Sequence, residues 1–200
     1  MRGSAVKTLI AANAAVYVLQ YLTHDAIGGL FALFPLQADL TGRSYFHLWQ
    51  LVTYSFLHDV TNPLHLLFNM YGVWMFGSAI ERHVGPSRLL VLYFASVLSA
   101  ALCQLVVPSL LGEPLAPVEG ASGGVFGLLL AFAVLFPQQR LMLLLPPIPM
   151  PAWLFATLYA LIELYLGISG RQAQVAHFAH LGGMIGSALT LLQWRRRAAR

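Results

Sequence analysis

The sequence predicts an all-α membrane protein: a bundle of six transmembrane helices with a long first loop that is partly embedded in the membrane. Three observations predict it. The 200-residue chain is 58% hydrophobic and only 9% charged, where a soluble domain carries about 25% charge. Mean hydropathy is +0.73. Six apolar runs approach the roughly 20 residues that a helix needs to cross a bilayer core. The length suits a single domain, 1–200.

The first run, about 4–22, continues past Lys7 to Tyr21 and Leu22 without a clear small-residue cleavage site. It reads as a retained helix, not a signal peptide. A connector follows, with two apolar pieces, "LFALFPL" and "FHLWQLVTYSFL". Both are too short to span, and the aromatic content of the second suits headgroup depth. The remaining runs are about 63–80, 88–109, 120–137, 150–168 and 174–194. Cys103, the single cysteine, lies in the third and has no intrachain disulfide partner. No internal repeat is visible.

Six crossings put both termini on one side. Arg2, Lys7, Arg82, Arg88, Arg140, Arg195, Arg196, Arg197 and Arg200 then fall together, nine of the eleven basic residues. Asp25, Asp39, Asp59, Glu113 and Glu119 fall opposite. The positive-inside rule makes the basic side cytoplasmic. The net charge of +4 is thus a topology signal, and nucleic acid is not an expected partner. The arginine-rich end suits anionic lipid.

The fourth run opens on "EGASGGVFGLLLAFAVLF", Glu119 to Phe136. Small residues there serve helix contact, or Ser122 is a nucleophile. This topology brings Ser122, His180, His65 and Asn69 to a similar depth near the outer face. His65 and Asn69 share a helix face by their i, i+4 spacing. His180 is expected roughly 9 Å below the start of the sixth span. A serine needs a base to take its proton, and histidine is the usual one near neutral pH. His65, Asn69 and a backbone N–H at the helix start could hold an oxyanion. Gly120, Gly123 and Gly124 would admit substrate closely.

"HLLFN" on the second span, "GASGG" opening the fourth and "AHLGG" on the sixth resemble the rhomboid intramembrane serine proteases. "LWQLVTYSFLH" and "FLHDVTNPLHLLFNMYGVWMFGSAIE" resemble that family's first loop and second helix. The likeness runs from about Trp49 to Ser187. It implies a bundle of the rhomboid type and a catalytic dyad of Ser122 and His180. It implies oxyanion stabilisation by His65, Asn69 and the Ser122 N–H. Phe126, four residues after the serine, stands where an aromatic packs on the histidine in relatives. Gly183 and Ser187 stand where small residues let the sixth span meet the fourth, with Gly182 and Gly186 as a second small pair. Gln50 stands where many relatives carry arginine, and Val175 where some carry glycine. The resemblance also implies that His58 organises the first loop and that the fifth span gates the site.

Rival readings fit these residues less well. The G-x-S-x-G elbow of soluble hydrolases needs a preceding strand and a soluble sheet, which this composition excludes. His58, His65, His177 and His180 invite a metal, but Asn69 is an odd ligand and no H-E-x-x-H occurs. No metal or other cofactor is expected. His177 reads as a structural hydrogen-bonder, and Glu163 as an intramembrane acid without an obvious partner, protonated or facing a wet cleft. A catalytically silent rhomboid-like chaperone and a small transporter are the alternatives. The expectation is a monomeric serine endopeptidase that cuts single-span membrane proteins near the outer face. The expected location is a bacterial cytoplasmic membrane, with both termini in the cytoplasm.

Overall fold

The computed structural model describes residues 4–37, 42–112, 116–142, 148–170 and 175–199. Of the charges used to orient the chain, Arg2, Asp39, Glu113 and Arg200 lie outside the described residues, as does the expected start of the sixth span at 174. The described chain is mostly helical. Helix α1 is Ala5–Leu22. Two short helices follow in the connector, α2 (Gly28–Phe31) and α3 (Gln50–Thr53), the latter running into a 3₁₀ turn at Tyr54–Phe56. Helix α4 (Pro63–Gly72) passes through a π-helical turn, Val73–Gly77, into α5 (Ser78–Val84). Then come α6 (Pro86–Leu111), α7 (Ser122–Leu135), α8 (Ala152–Ser169) and α9 (His177–Ala198). Among the described residues, α1, α6 and α8 are long and apolar enough to cross a membrane, and α7 is apolar but shorter.

Local chemistry explains where these helices begin and end. Proline opens α4 and α6, where its missing N–H leaves no bond unmade. Helices α6 and α8 end on left-handed Gly112 and Gly170, the usual way to close the last turn. The second run extends beyond residue 80, so Glu81, Arg82 and His83 lie on helix α5 rather than in a loop. Glu81 uses that position. Its carboxylate accepts from Ser4 Oγ (2.8 Å), Ala5 N (2.6 Å) and Val6 N (3.3 Å). Amides at a helix start lack intrahelical acceptors, and an anion there is favoured. One acid thus fastens the start of α1 to α5.

The centre of the bundle is α6, α7 and α9. Leu92, Tyr93 and Val97 of α6, with Leu128 and Ala131 of α7, are buried together. Helix α9 meets both partners through small residues. A Cβ added at Gly183 would collide with the backbone of Gly123 on α7. One added at Gly182 would lie 2.6 Å from Cys103 Cβ, and at Gly186 2.5 Å from Ala95 O, both on α6. Gly183, expected against the fourth helix, thus meets it, while Gly182 and Gly186 face α6. One element departs from the all-α expectation. Arg140–Met142 (β1) pairs antiparallel with Pro149–Pro151 (β2) between α7 and α8.

Gln50 anchors the connector. Buried, it accepts from Phe34 N and His47 N (both 3.2 Å) and donates to Leu30 O (3.2 Å) and Tyr45 O (3.0 Å). A neutral amide satisfies four backbone groups there. No charge needs a partner, so arginine is not required at this position.

Candidate active site

Residues 116–121 lead into α7, and three ties aim them. Leu33 and Val118 exchange backbone bonds of 2.9 and 3.0 Å. Gly120 N donates to Tyr54 O at 3.0 Å. Ala121 N faces His58 Nε2 in a long contact of 3.5 Å. Gly120 holds φ +127, which side chains rarely tolerate, and a Cβ there would lie 2.8 Å from His65 Nε2. Ser122 is the first residue of α7. Its helix therefore starts two residues later than the expected 120.

Gly123 and Gly124 differ from expectation. They face inward, where an added Cβ at Gly123 would lie 2.5 Å from Ala100 Cβ and one at Gly124 would collide with the Tyr93 ring. They serve helix packing.

His180 lies three residues into α9, in its first turn, and not roughly 9 Å along it. Its Nε2 is 2.8 Å from Ser122 Oγ. The Phe126 ring stacks on the imidazole with centroids 4.2 Å apart and planes 7° from parallel. Phe126 reaches it because it sits one helical turn below Ser122. The stack and the inward packing of α9 leave His180 8% exposed.

His65 and Asn69 stand on one face of α4. Asn69 Nδ2 donates to His65 O at 2.9 Å. Asp59 N donates to His65 Nδ1 at 3.3 Å. A neutral imidazole that accepts at Nδ1 carries its proton on Nε2, the atom facing Gly120. His65, Asn69, Ser122, Phe126 and His180 all line one cleft of about 880 Å³. Phe68 and Tyr71 of α4 and Phe155 and Tyr159 of α8 form its walls.

Glu163 has partners after all. Its Oε2 is 2.7 Å from His177 Nδ1 and 3.0 Å from His180 Nδ1. The first is an aligned hydrogen bond, and the second is a short contact off the ideal line. Antiparallel neighbours give the signal that finds this. Glu163 lies six residues before the end of α8, and His180 three after the start of α9. These three residues are also the cluster among the described ones that could hold a metal. Their 2.7 and 3.0 Å separations suit shared protons better than ligands about 3.3 Å apart around tetrahedral zinc.

Behind the 116–121 segment lies a second polar group that the sequence did not single out. Gln20 Oε1 accepts from His58 N at 2.8 Å, and Gln20 Nε2 donates to Asp25 Oδ1 at 2.9 Å and Glu119 Oε2 at 3.4 Å. Burial first, then the charges of Asp25 and Asp59, push the Glu119 carboxyl up to about 7, against the Gln20 bond. A raised acid stabilises the fold fully below its unfolded value, and that contribution is lost as pH rises through about 7. Glu119→Gln should therefore raise the melting temperature at pH 8 and leave it nearly unchanged at pH 4. Paired melts at the two pH values check this, and an equal shift at both would refute it.

Residues 45–196 match the family profile described as the Rhomboid domain. The mitochondrial Rhomboid protein 1 of Saccharomyces cerevisiae is 34% identical over 126 residues, 62% of this chain and 36% of that protein. Rhomboid protease GluP of Bacillus subtilis is 29% identical over 138 residues, 69% of this chain and 24% of the relative. Rhomboid protease GlpG of Yersinia pestis is 27% identical over 186 residues, 93% of this chain and 61% of the relative. The chain spans less than two thirds of the length of each of these three.

Proposed function

The chain belongs to the rhomboid family, and from that premise we propose that it is an intramembrane serine endopeptidase working through Ser122 and His180. The observation that carries this reading is the 2.8 Å approach of His180 Nε2 to Ser122 Oγ inside a cleft. Ser122 Oγ attacks the substrate carbonyl carbon while its proton passes to His180 Nε2. The carbonyl oxygen becomes an oxyanion, held by Asn69 Nδ2, His65 Nε2–H and the Ser122 N–H. On collapse the C–N bond breaks, and the proton on His180 goes to the departing amine. Water, deprotonated by His180, then attacks the acyl ester and restores Ser122. No metal or organic cofactor enters any step.

Six crossings fit this chemistry: α1, the continuous run from α4 to α5, then α6, α7, α8 and α9. The site lies at the end opposite the arginines of α9, the outer end if the basic side is cytoplasmic. Helix α8 buries only Ala152, Ala156, Glu163 and Gly167. With Phe155 and Tyr159 it walls the cleft against α4, which suits it as the substrate gate. The cleft admits water, and polar backbone is tolerated at membrane depth where it lines such a cavity.

A helical substrate hides its carbonyls in hydrogen bonds. It must unwind locally, and in lipid each group left unsatisfied costs several kcal/mol. Substrates are single-span proteins with Gly, Pro or polar residues in the outer part of the span, cut next to a small residue. In a detergent assay, replacing those Gly and Pro residues by Leu should suppress cleavage by wild-type enzyme, with the site mapped by mass spectrometry. An all-Leu span cut at the same rate, or a cut on the arginine side, would sink the reading of substrate and topology.

A further inference from the structure

Glu163 is a buried acid that the Ser122–His180 mechanism does not use. It is 8% exposed, on a helix that buries three other residues, all small. Its Oε2 lies between the Nδ1 atoms of His177 and His180, at 2.7 and 3.0 Å. The other nitrogen of His180 faces Ser122 Oγ. Serine, imidazole and carboxylate thus form one line across α7, α9 and α8. A carboxylate at this depth is costly without donors; the His177 imidazole supplies one, and His180 Nδ1 stands 3.0 Å away.

We infer that Glu163 is a positioning residue for the reaction, completing a three-member relay with His180 and Ser122. This rests on the protease reading. A neutral imidazole has one N–H and one lone pair. The Glu163 carboxylate, 3.0 Å from Nδ1 of His180, favours the tautomer with its proton on Nδ1 and so keeps the lone pair on Nε2, toward the serine. After proton transfer its charge faces the imidazolium. It does not take the proton itself. His177 holds the carboxylate from its other side. The His177 Nε2 atom is buried without a partner, so Glu163 is the contact that accounts for the orientation of His177.

The test compares wild type, Ser122→Ala, Glu163→Gln and Glu163→Asp in detergent with one single-span substrate. Glu163→Gln keeps the shape and removes the charge. It should lower kcat by about 10²-fold or more, within the range of general-base contributions, with KM little changed. Glu163→Asp should restore part of kcat. Nitrogen NMR of ¹⁵N-histidine-labelled protein gives a readout that a structural role would not move. His180, identified by its absence in His180→Ala, should carry its proton on Nδ1 in wild type, and Glu163→Gln should shift the proton toward Nε2. Wild-type kcat in a folded Glu163→Gln, or an Nε2-protonated His180 in wild type, would overturn the inference. The wild-type spectrum decides even where the variant does not fold. Failure of the two readings is distinguishable: if wild type and Ser122→Ala cleave alike, the protease reading falls and takes the relay with it. If only wild type cleaves and Glu163→Gln equals it, the relay alone falls.

Discussion

Ser122→Ala should reduce cleavage to background, His180→Ala should do the same, and the double variant should be no worse than either. Nucleophile and base act as a unit, so their losses do not add. The expected fall in kcat is on the order of 10⁴-fold or more. The 2.8 Å contact between the two side chains motivates it. Ser122→Ala removes a single hydroxyl and should melt close to wild type, whereas His180→Ala empties the space under the Phe126 ring and takes a neighbour from Glu163, so its melting temperature should fall. A phosphonylating serine reagent should label wild type at Ser122 and leave both variants unlabelled. A folded Ser122→Ala that still cuts the substrate at a substantial rate would end the serine-protease reading.

The next largest effect should come from the oxyanion donors. Removing one donor typically lowers kcat by about 10²–10³-fold. Asn69→Ala and His65→Ala are expected at or below the low end of that range. Each leaves the other donor and the Ser122 N–H in place. His65→Ala carries a second consequence: it vacates the acceptor of Asp59 N and the ring beside Gly120. Its KM should therefore rise, while Asn69→Ala changes mainly kcat. The double variant should lose more than either single one. Steady-state kinetics on one substrate checks all three, and a double variant with wild-type kcat would remove His65 and Asn69 from the chemistry.

The site was legible where spacing within one helix determines it. His65 and Asn69 are one turn apart on α4, and Phe126 is one turn beyond Ser122, so helical geometry places each pair without the structure. The alternation of spans put Ser122 and His180 at a similar depth, and the rhomboid resemblance implied that they pair. What stayed hidden depends on distances between helices. Glu163 looked alone because the sequence gives neither the register of α8 against α9 nor the point where α9 begins. Residues 171–174, the approach to that point, lie outside the described residues. The run 63–80 stops short of Glu81 because an apolar run marks where hydrophobicity stops, not where backbone hydrogen bonding stops. Its helix continues to Val84. Gln20 gave no signal, and Gln50 showed only as a departure from the arginine that many relatives carry. A glutamine that satisfies backbone groups has no required spacing to a partner. The glycines of "GASGG" were legible as small but not by direction, and Gly123 and Gly124 turn toward neighbouring helices rather than substrate.

The segment that delivers Ser122 is tied to the first loop at Leu33 and Tyr54 by main-chain atoms. Main-chain atoms are the same in every residue except proline. Tyr54 also donates its buried hydroxyl to Val97 O, but the side chains at Leu33 and Val118 are free, as far as these ties go, to answer to packing alone. A designer could recode those positions within the limits of volume and keep the serine aimed. The exception is Gly120, where φ +127 and the nearness of His65 leave no alternative. Mutational tolerance around the nucleophile is thus uneven: broad along the strand-like partners, and closed at one glycine two residues before it.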